Sequence, residues 1–251
     1  MNILITGGNG YIAKSLSKSL DNSISITRKD FDLTDRHATD KWFDGKYFDV
    51  IIHTAICGGS RLKEDDNSVL ANNLKMFYNL IANQDKFNQL INLGSGAELH
   101  NPFDSYGLSK AIIWETIKNN PKLNNVRVFG VFDENELNTR FIKTCINNYK
   151  AKNPLIIHQN KLFDFIYMDD LVTIIDFIIS NPNIKVIDCC YHKNYSLKEI
   201  ADYINGLNNH YCEVKVNNNK LGKPYIGKFK KYNLDLIGLK QGINRTYDKI
   251  N

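Results

Sequence analysis

The sequence predicts an α/β fold in which a parallel β-sheet carries helices on both faces. Short apolar runs alternate with longer segments of helical periodicity over the first two thirds of the chain, and a glycine-rich turn follows the first run. This order is typical of repeated β-α units, because parallel neighbours need a crossover between them. A chain of 251 residues is long enough to bury a large core.

The elements follow in chain order from these patterns. The predicted strands cover residues 3–6, 24–27, 50–53, 90–93 and 126–129, each a short apolar run. The helices predicted between them cover residues 11–20, 35–43, 69–83 and 105–118. These units account for the sheet and its crossovers.

The pattern loosens after Gly130. A helix is predicted over 139–150, and the segment 163–179 begins extended and becomes helical, with Asp169 and Asp170 expected to cap that helix rather than act as a carboxylate pair. Ser196 followed by Glu199 is a capping box that predicts a further helix start.

Charge and cysteine usage exclude several classes of protein. Lys+Arg 32 against Asp+Glu 27 gives a net charge of +5 without a basic stripe, which suits a phosphate-bearing small ligand better than nucleic acid. The 5 cysteines are odd in number and scattered, so neither a disulfide framework nor a metal site is expected. The chain enters a strand directly after Met1-Asn2 and has no apolar run of membrane length, which predicts a cytoplasmic protein without a membrane partner.

The turn after the first strand carries the first chemical signal. Gly7 and Gly10 frame a tight turn, and Ala13 allows the helix to pack closely on the strand. The free N–H groups at the helix start would face an anion such as a pyrophosphate, although a merely structural turn is the alternative. The context predicts a Rossmann-type, doubly wound nucleotide-binding sheet. Its domain is expected at 1–130 plus about 160–180, with a smaller α/β region at about 131–160 and 181–251.

The end of the second strand bears on the choice of cofactor. Thr27-Arg28-Lys29 places two cations where a cofactor with a free ribose 2′-OH usually meets an acid, so NADP(H) is favoured over NAD(H). The alternative is that both cations are solvated surface charges. Asp32 and Leu33 could meet the adenine edge or form an ordinary turn before a helix.

Tyr106 and Lys110 form a second chemical signal. Four-residue spacing on a predicted helix places the phenol and the ammonium on one face, one turn apart. A nearby cation lowers the pKa of a phenol, so the pair could exchange a proton with a substrate oxygen near neutral pH.

Together these segments resemble the extended short-chain dehydrogenase/reductase family, in its nucleotide-sugar epimerase, dehydratase and reductase branch. The matching segments are Thr6-Gly7-Gly8-Asn9-Gly10-Tyr11-Ile12-Ala13, Asp32-Leu33-Thr34-Asp35, His53-Thr54-Ala55, Gly94-Ser95-Gly96, Tyr106-Gly107-Leu108-Ser109-Lys110, Arg127-Val128-Phe129-Gly130, Asp164-Phe165-Ile166-Tyr167-Met168-Asp169-Asp170, and Gly238-Leu239-Lys240 with Gly242-Ile243. They follow the family's order over nearly the whole chain.

The resemblance implies roles for particular residues. Tyr106 would be the catalytic acid/base, Lys110 would lower its pKa and bind the nicotinamide ribose hydroxyls, and Ser95 would hydrogen-bond the substrate oxygen. The implied cofactor-binding residues are Gly7, Asn9, Gly10, Tyr11, Ile12, Arg28, Lys29, Asp32, Leu33, His53, Thr54, Ala55, Asn72 (or its neighbour Asn73) and Lys110. The implied substrate-binding residues are Ser95, Gly96 and Arg140. The alternatives are that Ser95 only ends a strand, that His53 packs at a strand end, that Asn72 is an exposed polar position and that Arg140 is a solvated helix residue.

Departures from the family's pattern argue against dehydration and against an added epimerisation step. Only eleven positions separate Ser95 from Tyr106, so a loop that normally helps to form the sugar pocket is shortened. Gly96-Ala97 stands where dehydratases carry Asp-Glu, with Glu98 one step later, and Ala97 stands where epimerising reductases carry Cys. Phe163 replaces the usual Arg before the Asp-Phe-Ile-Tyr segment.

The sequence therefore predicts an NADP(H)-dependent reductase. The predicted substrate is a nucleoside-diphosphate sugar, namely a nucleotide-linked 4-keto-6-deoxy sugar. An epimerase that holds its cofactor is the alternative, and a non-catalytic cofactor-sensing protein is the third hypothesis. The resemblance also favours a homodimer through the helix bearing Tyr106, because Ala111, Ile112, Ile113 and Trp114 make that helix apolar almost all round. One-sided packing on the sheet is the alternative.

Overall fold

The architecture was determined in a computed structural model that describes residues 1–60 and 64–250. Asn251, the last residue of the expected smaller region, lies outside the described residues. The chain divides into two compact units, Met1–Arg127 with Ile175–Ile187, and Val128–Ile174 with Asp188–Asn251. The chain re-enters the first unit at Ile175, later than the expected 160–180.

The elements occur in regular alternation through the first unit. In chain order they are β1 (Ile3–Thr6), α1 (Tyr11–Ser19), β2 (Ser23–Ile26), α2 (Arg36–Phe43), β3 (Phe48–His53), α3 (Asn67–Ile81), β4 (Phe87–Ser95), α4 (Ala97–His100), α5 (Ser105–Ile117) and β5 (Leu123–Val128). They continue with β6 (Val131–Phe132), α6 (Phe141–Lys150), β7 (Leu155–Gln159), β8 (Ile166–Tyr167), α7 (Met168–Ser180), β9 (Val186–Cys189), α8 (Leu197–Asn205), β10 (Val214–Asn218) and α9 (Leu239–Lys249).

The main sheet has six strands in the order β2-β1-β3-β4-β5-β9. β1 pairs in parallel with both β2 and β3, and β3 pairs in parallel with β4. This confirms the predicted Rossmann-type α/β fold. The strand order reverses between β1 and β3, and ligands of such sheets bind beyond the carboxyl ends of the strands at that reversal.

Local sequence explains the regular elements. All four residues of β1 are buried, as a parallel strand covered on both faces requires. The starts of α2, α3 and α5 are each capped by an aspartate, Asp35, Asp66 and Asp104, whose carboxylate accepts a backbone N–H of the first turn. The capping box predicted for Ser196 and Glu199 is confirmed at the start of α8.

The second unit has its own apolar core. β7 pairs in parallel with β10, and β6 with β8. The buried side chains Phe132, Ile146, Tyr149, Phe163 and Ile204 belong to one cluster. Phe163 is 2% exposed, and its ring lies 5.0 Å from that of Tyr225. The position that departs from the family's usual Arg is therefore a packing position here.

The expected role of Asp170 as a helix cap is wrong. Asp170 lies in the first turn of α7 and is 1% exposed. Its two carboxylate oxygens accept the backbone N–H groups of Ile237 and Gly238, at 2.7 and 2.9 Å, and the hydroxyl of Tyr191 donates to it as well. The carboxylate thus anchors the turn that precedes α9, a contact between residues 67 and 68 positions apart.

Across residues 1–60 and 64–250, every helix is too short or too polar to cross a membrane.

Candidate active site and cofactor cavity

The glycine turn after β1 is held in place by the two strands beside it. The Gly8 N–H donates to the Ile26 carbonyl at the end of β2, and the Gly10 N–H donates to the Gly7 carbonyl, both at 2.8 Å. Gly7 has φ +72°, and a Cβ there would lie 2.8 Å from Cα of Ala55. Only glycine can make this turn so close to the chain after β3.

A cavity of about 380 Å³ opens beside this turn at the carboxyl ends of β1, β2 and β3. Its lining combines backbone from the turn with apolar side chains and a few polar groups. The lining residues are Gly7, Asn9, Gly10, Ile26, Thr27, Arg28, Phe31, Asp32, Leu33, Thr54, Ala55, Ile56 and Met76. The glycine turn and the N-terminus of α1 fit the diphosphate of a dinucleotide, because the start of a helix attracts an anion.

The two cations predicted for the cofactor differ in position. Arg28 lines the cavity, and its Nη2 lies 3.7 Å from Sγ of Cys57. Lys29 is exposed and is not among the described residues that line the cavity. Asp32 accepts hydrogen bonds from the backbone and hydroxyl of Thr34, both at 2.9 Å. The backbone N–H of Thr34, the hydroxyl of Thr34 and the charge of Arg28 lower the pKa of Asp32.

The expected cofactor-binding residues at the end of β3 fall into two groups, one lining the cavity and one buried in the interior. The Thr54 hydroxyl donates to the Thr6 carbonyl at 2.6 Å, and Thr54 and Ala55 both line the cavity. The His53 side chain instead lies in the interior, 3% exposed, with Nδ1 2.8 Å from Oγ1 of Thr6. Burial, assisted by the charge of Lys110, lowers the pKa of His53 to about 3, so the ring is neutral.

Asn73, rather than Asn72, joins the site to its surroundings. Its side chain accepts the Cys57 N–H at 2.8 Å and donates to the Cys57 carbonyl at 3.1 Å. It also donates to the Ser109 hydroxyl at 3.0 Å, which in turn donates to the Tyr106 carbonyl at 2.6 Å. Asn72 is half-buried. Asn73 thereby fixes the chain after β3 against α5.

Helix α5 brings Tyr106 and Lys110 to the end of β4. The carboxylate of Asp104 accepts the Gly107 N–H at 2.6 Å, which starts the helix one residue before Tyr106. Lys110 is 4% exposed, and its Nζ donates to the Leu93 carbonyl at 2.6 Å, two residues before Ser95. The half-buried Tyr106 ring lies against Gly59, where a Cβ would be 2.8 Å from the ring.

Burial changes the acidity of Lys110. Loss of hydration lowers the pKa of this ammonium from 10.5 to about 8, and the negative charge of Glu98 partly opposes that effect. The ammonium remains the main form at neutral pH, yet its proton is held less tightly than that of an exposed lysine.

Ser95 ends β4 in a fixed orientation. It is 7% exposed, its N–H donates to Oε1 of Glu98 at 2.9 Å, and its Oγ accepts the Ala97 N–H at 3.1 Å. A serine hydroxyl that accepts a bond through a lone pair still carries one hydrogen that it can donate to a further acceptor. Gly96 is buried at the start of α4.

The remaining predicted residues lie elsewhere. Tyr11 and Ile12 begin α1 and are half-buried, and neither is among the described residues that line the cavity. Arg140 is exposed in the second unit, where it immediately precedes α6.

Sequence reasoning missed several residues of this region. Phe31, Ile56 and Met76 line the cavity, but an apolar side chain carries no sequence signal for that role. Glu98 and Arg127 form an ion pair beside Ser95, with 2.6 Å between Oε2 and Nε. A charged residue inside the buried strand β5 was the available signal for a buried partner.

The comparisons with known proteins agree with this geometry. Residues 3–189 match the model of the NAD dependent epimerase/dehydratase family. The chain therefore belongs to the NAD dependent epimerase/dehydratase family, a group of extended short-chain dehydrogenases/reductases. It is an NAD(P)-dependent oxidoreductase of that type.

Individual relatives are distant in sequence but cover the whole fold. CDP-abequose synthase of Yersinia pseudotuberculosis is 23% identical over 258 residues, covering 88% of this chain and 87% of the relative. GDP-mannoheptose C4 reductase of Campylobacter jejuni, with NADP bound, has a TM-score of 0.79 at 17% identity, covering 98% and 97% of the two chains. UDP-glucose 4-epimerase of Thermotoga maritima, with UDP-glucose, has a TM-score of 0.79 at 14% identity, covering 99% and 98%.

Proposed function

We propose that this chain is an NADP(H)-dependent reductase of a nucleotide-linked keto sugar, of the NDP-4-keto-6-deoxyhexose type. One observation carries the proposal. The buried Lys110 ammonium is bonded to the Leu93 carbonyl near the end of β4, one helical turn from Tyr106 and two residues from the Ser95 position. This arrangement supports a site in which Tyr106 gives the proton, Lys110 the positive charge and Ser95 the hydroxyl for the reduction of a carbonyl.

Each of the three residues would have a separate task. The Tyr106 hydroxyl would give its proton to the substrate oxygen, and the positive charge of Lys110 would stabilise the phenolate that remains. Ser95 would donate its free hydroxyl hydrogen to the same oxygen as negative charge develops. The bound cofactor would supply the hydride that reduces the keto carbon.

The cavity beside the glycine turn suits the cofactor. Gly7, Gly10 and the start of α1 would hold the diphosphate, with Thr54 and Ala55 beside it. Arg28 would pair with a 2′-phosphate, which favours NADP(H) over NAD(H). Lys110 would also bind the nicotinamide ribose hydroxyls.

The names of the relatives support a nucleotide sugar as the substrate, since two of those described above are a GDP-mannoheptose C4 reductase and a CDP-abequose synthase. A separate observation argues against a dehydratase. Gly96-Ala97 stands in place of the Asp-Glu pair, and Glu98 is bonded to Ser95, Asn125 and Arg127. Arg140 and Gly96 are proposed to contact the substrate, Arg140 through its diphosphate.

An epimerase remains the second candidate, because UDP-glucose 4-epimerase shares the fold at the same TM-score of 0.79. The same Tyr106, Lys110 and Ser95 would serve oxidation followed by reduction. An epimerase would retain its cofactor through purification and consume no NADPH.

The decisive experiment is a substrate panel. The purified chain is mixed with NADPH and 4-keto-6-deoxyhexoses linked to GDP, CDP, UDP or dTDP, and the loss of NADPH absorbance is followed. A reductase consumes one NADPH for each keto sugar reduced. Nucleotide-linked hexoses that carry a 4-hydroxyl are offered in parallel, and their epimerisation without NADPH loss would identify the epimerase. Binding without any product would indicate a cofactor-sensing protein.

The role of Tyr106 is tested by Tyr106→Phe on the substrate found. We expect turnover to fall by at least about 100-fold, because general acid catalysis is lost. The Kd for NADPH, measured by fluorescence, should change less than about threefold, since the ring and its contact with Gly59 remain. A fully active variant would contradict the mechanism.

The cofactor preference is tested by a matched pair of variants. Arg28→Ala should weaken NADPH binding by about 10- to 100-fold and leave NADH binding unchanged, because a charge-assisted bond to phosphate is lost. Lys29→Ala, at the neighbouring exposed cation outside the cavity lining, should alter neither affinity. Equal losses for NADPH and NADH in Arg28→Ala would show that Arg28 does not read the 2′-phosphate.

A further inference from the structure

A buried carboxylate lies beside Ser95 and has no part in the reaction proposed above. The Glu98 side chain is 1% exposed, and Arg127, its ion-pair partner, is 9% exposed. A charge taken out of water is costly unless it is paired and fully hydrogen-bonded. The contacts of Glu98 therefore indicate which parts of the site the buried charge holds in place.

The hydrogen bonds that Glu98 accepts hold the end of β4 and its neighbour β5. Oε1 accepts the Ser95 N–H at 2.9 Å and Nδ2 of Asn125 at 3.2 Å. Oε2 accepts Nε of Arg127 at 2.6 Å and Nδ2 of Asn125 at 3.0 Å. The guanidinium of Arg127 lies in turn 4.8 Å from the centre of the Trp114 ring on α5. The carboxylate thus connects β4, β5 and, through Arg127, the helix that carries Tyr106.

The glycine before Ser95 reflects this arrangement. A Cβ at Gly94 would lie 2.4 Å from Oε1 of Glu98 and 2.6 Å from Oδ1 of Asn125. The carboxylate and the amide occupy the space that a side chain at position 94 would need. The close approach holds the Ser95 peptide directly against the negative charge.

Lys110 is the second group to which Glu98 is coupled. The Glu98 charge attracts the Lys110 ammonium, whereas burial disfavours it. The neutral His53 ring from β3 also interacts electrostatically with Lys110, and Tyr106 lies one turn before it on α5. Among these groups only the Glu98 carboxylate is negative.

An ordinary helix cap elsewhere in the chain provides a comparison. Ser196 and Glu199 have the same spacing as Ser95 and Glu98, and the Glu199 carboxylate likewise accepts the serine N–H, at 2.7 Å. Glu199 is exposed at the surface. Capping a helix therefore does not require the burial and the arginine that accompany Glu98.

We propose that Glu98 is a positioning residue of the active site, which anchors the Ser95 peptide and supplies the buried negative charge coupled to the Lys110 ammonium. The proposal rests on the proposed function, in which Ser95 and Lys110 act on one substrate. Arg127 is part of the same arrangement, because it forms an ion pair with the Glu98 carboxylate and offsets part of its charge.

The test measures Lys110 directly, without substrate. The intact protein is labelled with [ε-¹³C]lysine, the Lys110 signal is assigned by its absence in Lys110→Met, and its shift is followed against pH. In Glu98→Gln, which keeps a hydrogen-bond acceptor for Ser95 but loses the charge, the titration should move about 1 pH unit lower. In Arg127→Gln, which leaves the charge and removes its partner, the titration should move higher.

Controls separate charge from folding. Glu199→Gln removes the equivalent charge from the exposed cap and should leave the Lys110 titration unchanged. Circular dichroism establishes that each variant is folded. If only one of Glu98→Gln and Arg127→Gln folds, that variant still decides, because each has its own predicted direction of the Lys110 shift. An unmoved titration in a folded variant would overturn the proposal and leave Glu98 with only the structural role of its hydrogen bonds.

Kinetics then connect the titration to the reaction. On a substrate from the panel, the alkaline limb of kcat in Glu98→Gln should shift to lower pH with the Lys110 titration, while KM changes little. A kcat limb that stays in place while the Lys110 signal moves would overturn the positioning role. If wild type reduces no sugar, the proposed function alone fails, and the titration still decides the coupling of Glu98 to Lys110.

Discussion

At the scale of single residues, the site depends on where a charge is buried. Lys110 and Lys29 are both lysines near the expected cofactor, yet one is 4% exposed and the other lies at the surface. Burial lowers the pKa of Lys110 to about 8, which makes its ammonium a costly group in the folded state. A group kept at such a cost is typical of functional sites.

Lys110→Met should stabilise the fold at pH 7 while it abolishes turnover. The pKa of Lys110 falls from 10.5 to about 8 on folding, so the cost is fully present below pH 8. It is relieved as the pH rises towards 10.5, because the folded state then loses its proton first. Urea unfolding should show a gain of up to about 3 kcal/mol at pH 7 that shrinks by pH 10.

Lys29→Met is the control for that measurement, because it removes an ammonium that lies at the surface rather than in the interior. A Lys110→Met variant that is less stable than wild type at both pH values would show that the bond to the Leu93 carbonyl outweighs the desolvation cost.

At the scale of elements, α5 must start at a fixed residue for the site to form. Tyr106 is the second residue of this helix, and Asp104 caps it through the Gly107 N–H. A helix that began one turn later would leave Tyr106 in an irregular segment and break its register with Lys110. The cap therefore contributes to function by holding the two side chains in register.

Asp104→Ala should lose about 1 kcal/mol of stability through the lost cap, and kcat should fall about 10-fold or more as the start of α5 frays. Asp35→Ala removes the equivalent cap of α2, where Asp35 accepts the Ala38 N–H at 3.0 Å. It should lose similar stability with kcat unchanged. Chemical denaturation and steady-state kinetics on both variants provide the comparison. An equal loss of kcat in the two would mean that stability alone governs activity.

At the scale of the whole molecule, a homodimer remains a prediction. Ile113 and Ile117 of α5 are buried within the chain, while Ala111, Ile112 and Trp114 are half-buried. A helix that is apolar on more faces than the chain itself covers suits a symmetric interface.

Sedimentation equilibrium should therefore give twice the chain mass of 28.8 kDa. Ile112→Glu should return the mass to that of one chain, because a charge would be buried in the interface. Tyr211→Glu places the same charge at a tyrosine that is 78% exposed in the second unit, and it should leave the mass unchanged. A monomeric wild type would contradict the prediction.

The sequence by itself determined the fold class and the order of the elements. Alternation, glycine turns and aspartate caps act over a few residues, so the predicted strand 3–6 matches β1 and the predicted start of α5 matches Ser105. The same local signals placed Tyr106 and Lys110 one turn apart. Boundaries elsewhere moved by a few residues, as with β4, which extends over Phe87–Ser95 rather than 90–93.

Only the tertiary structure decided which polar residues meet. Glu98 and Arg127 are 29 residues apart, and Asp170 and Gly238 are 68 apart. Such pairs depend on strand order and on how the chain returns, which no local pattern encodes. The packed chain likewise placed Arg28 rather than its equally exposed neighbour Lys29 along the cavity, and it buried Asn73 rather than Asn72 for the link to α5. The sequence supplied the reacting groups, and the packed sheet supplied the partners that set their charge and position.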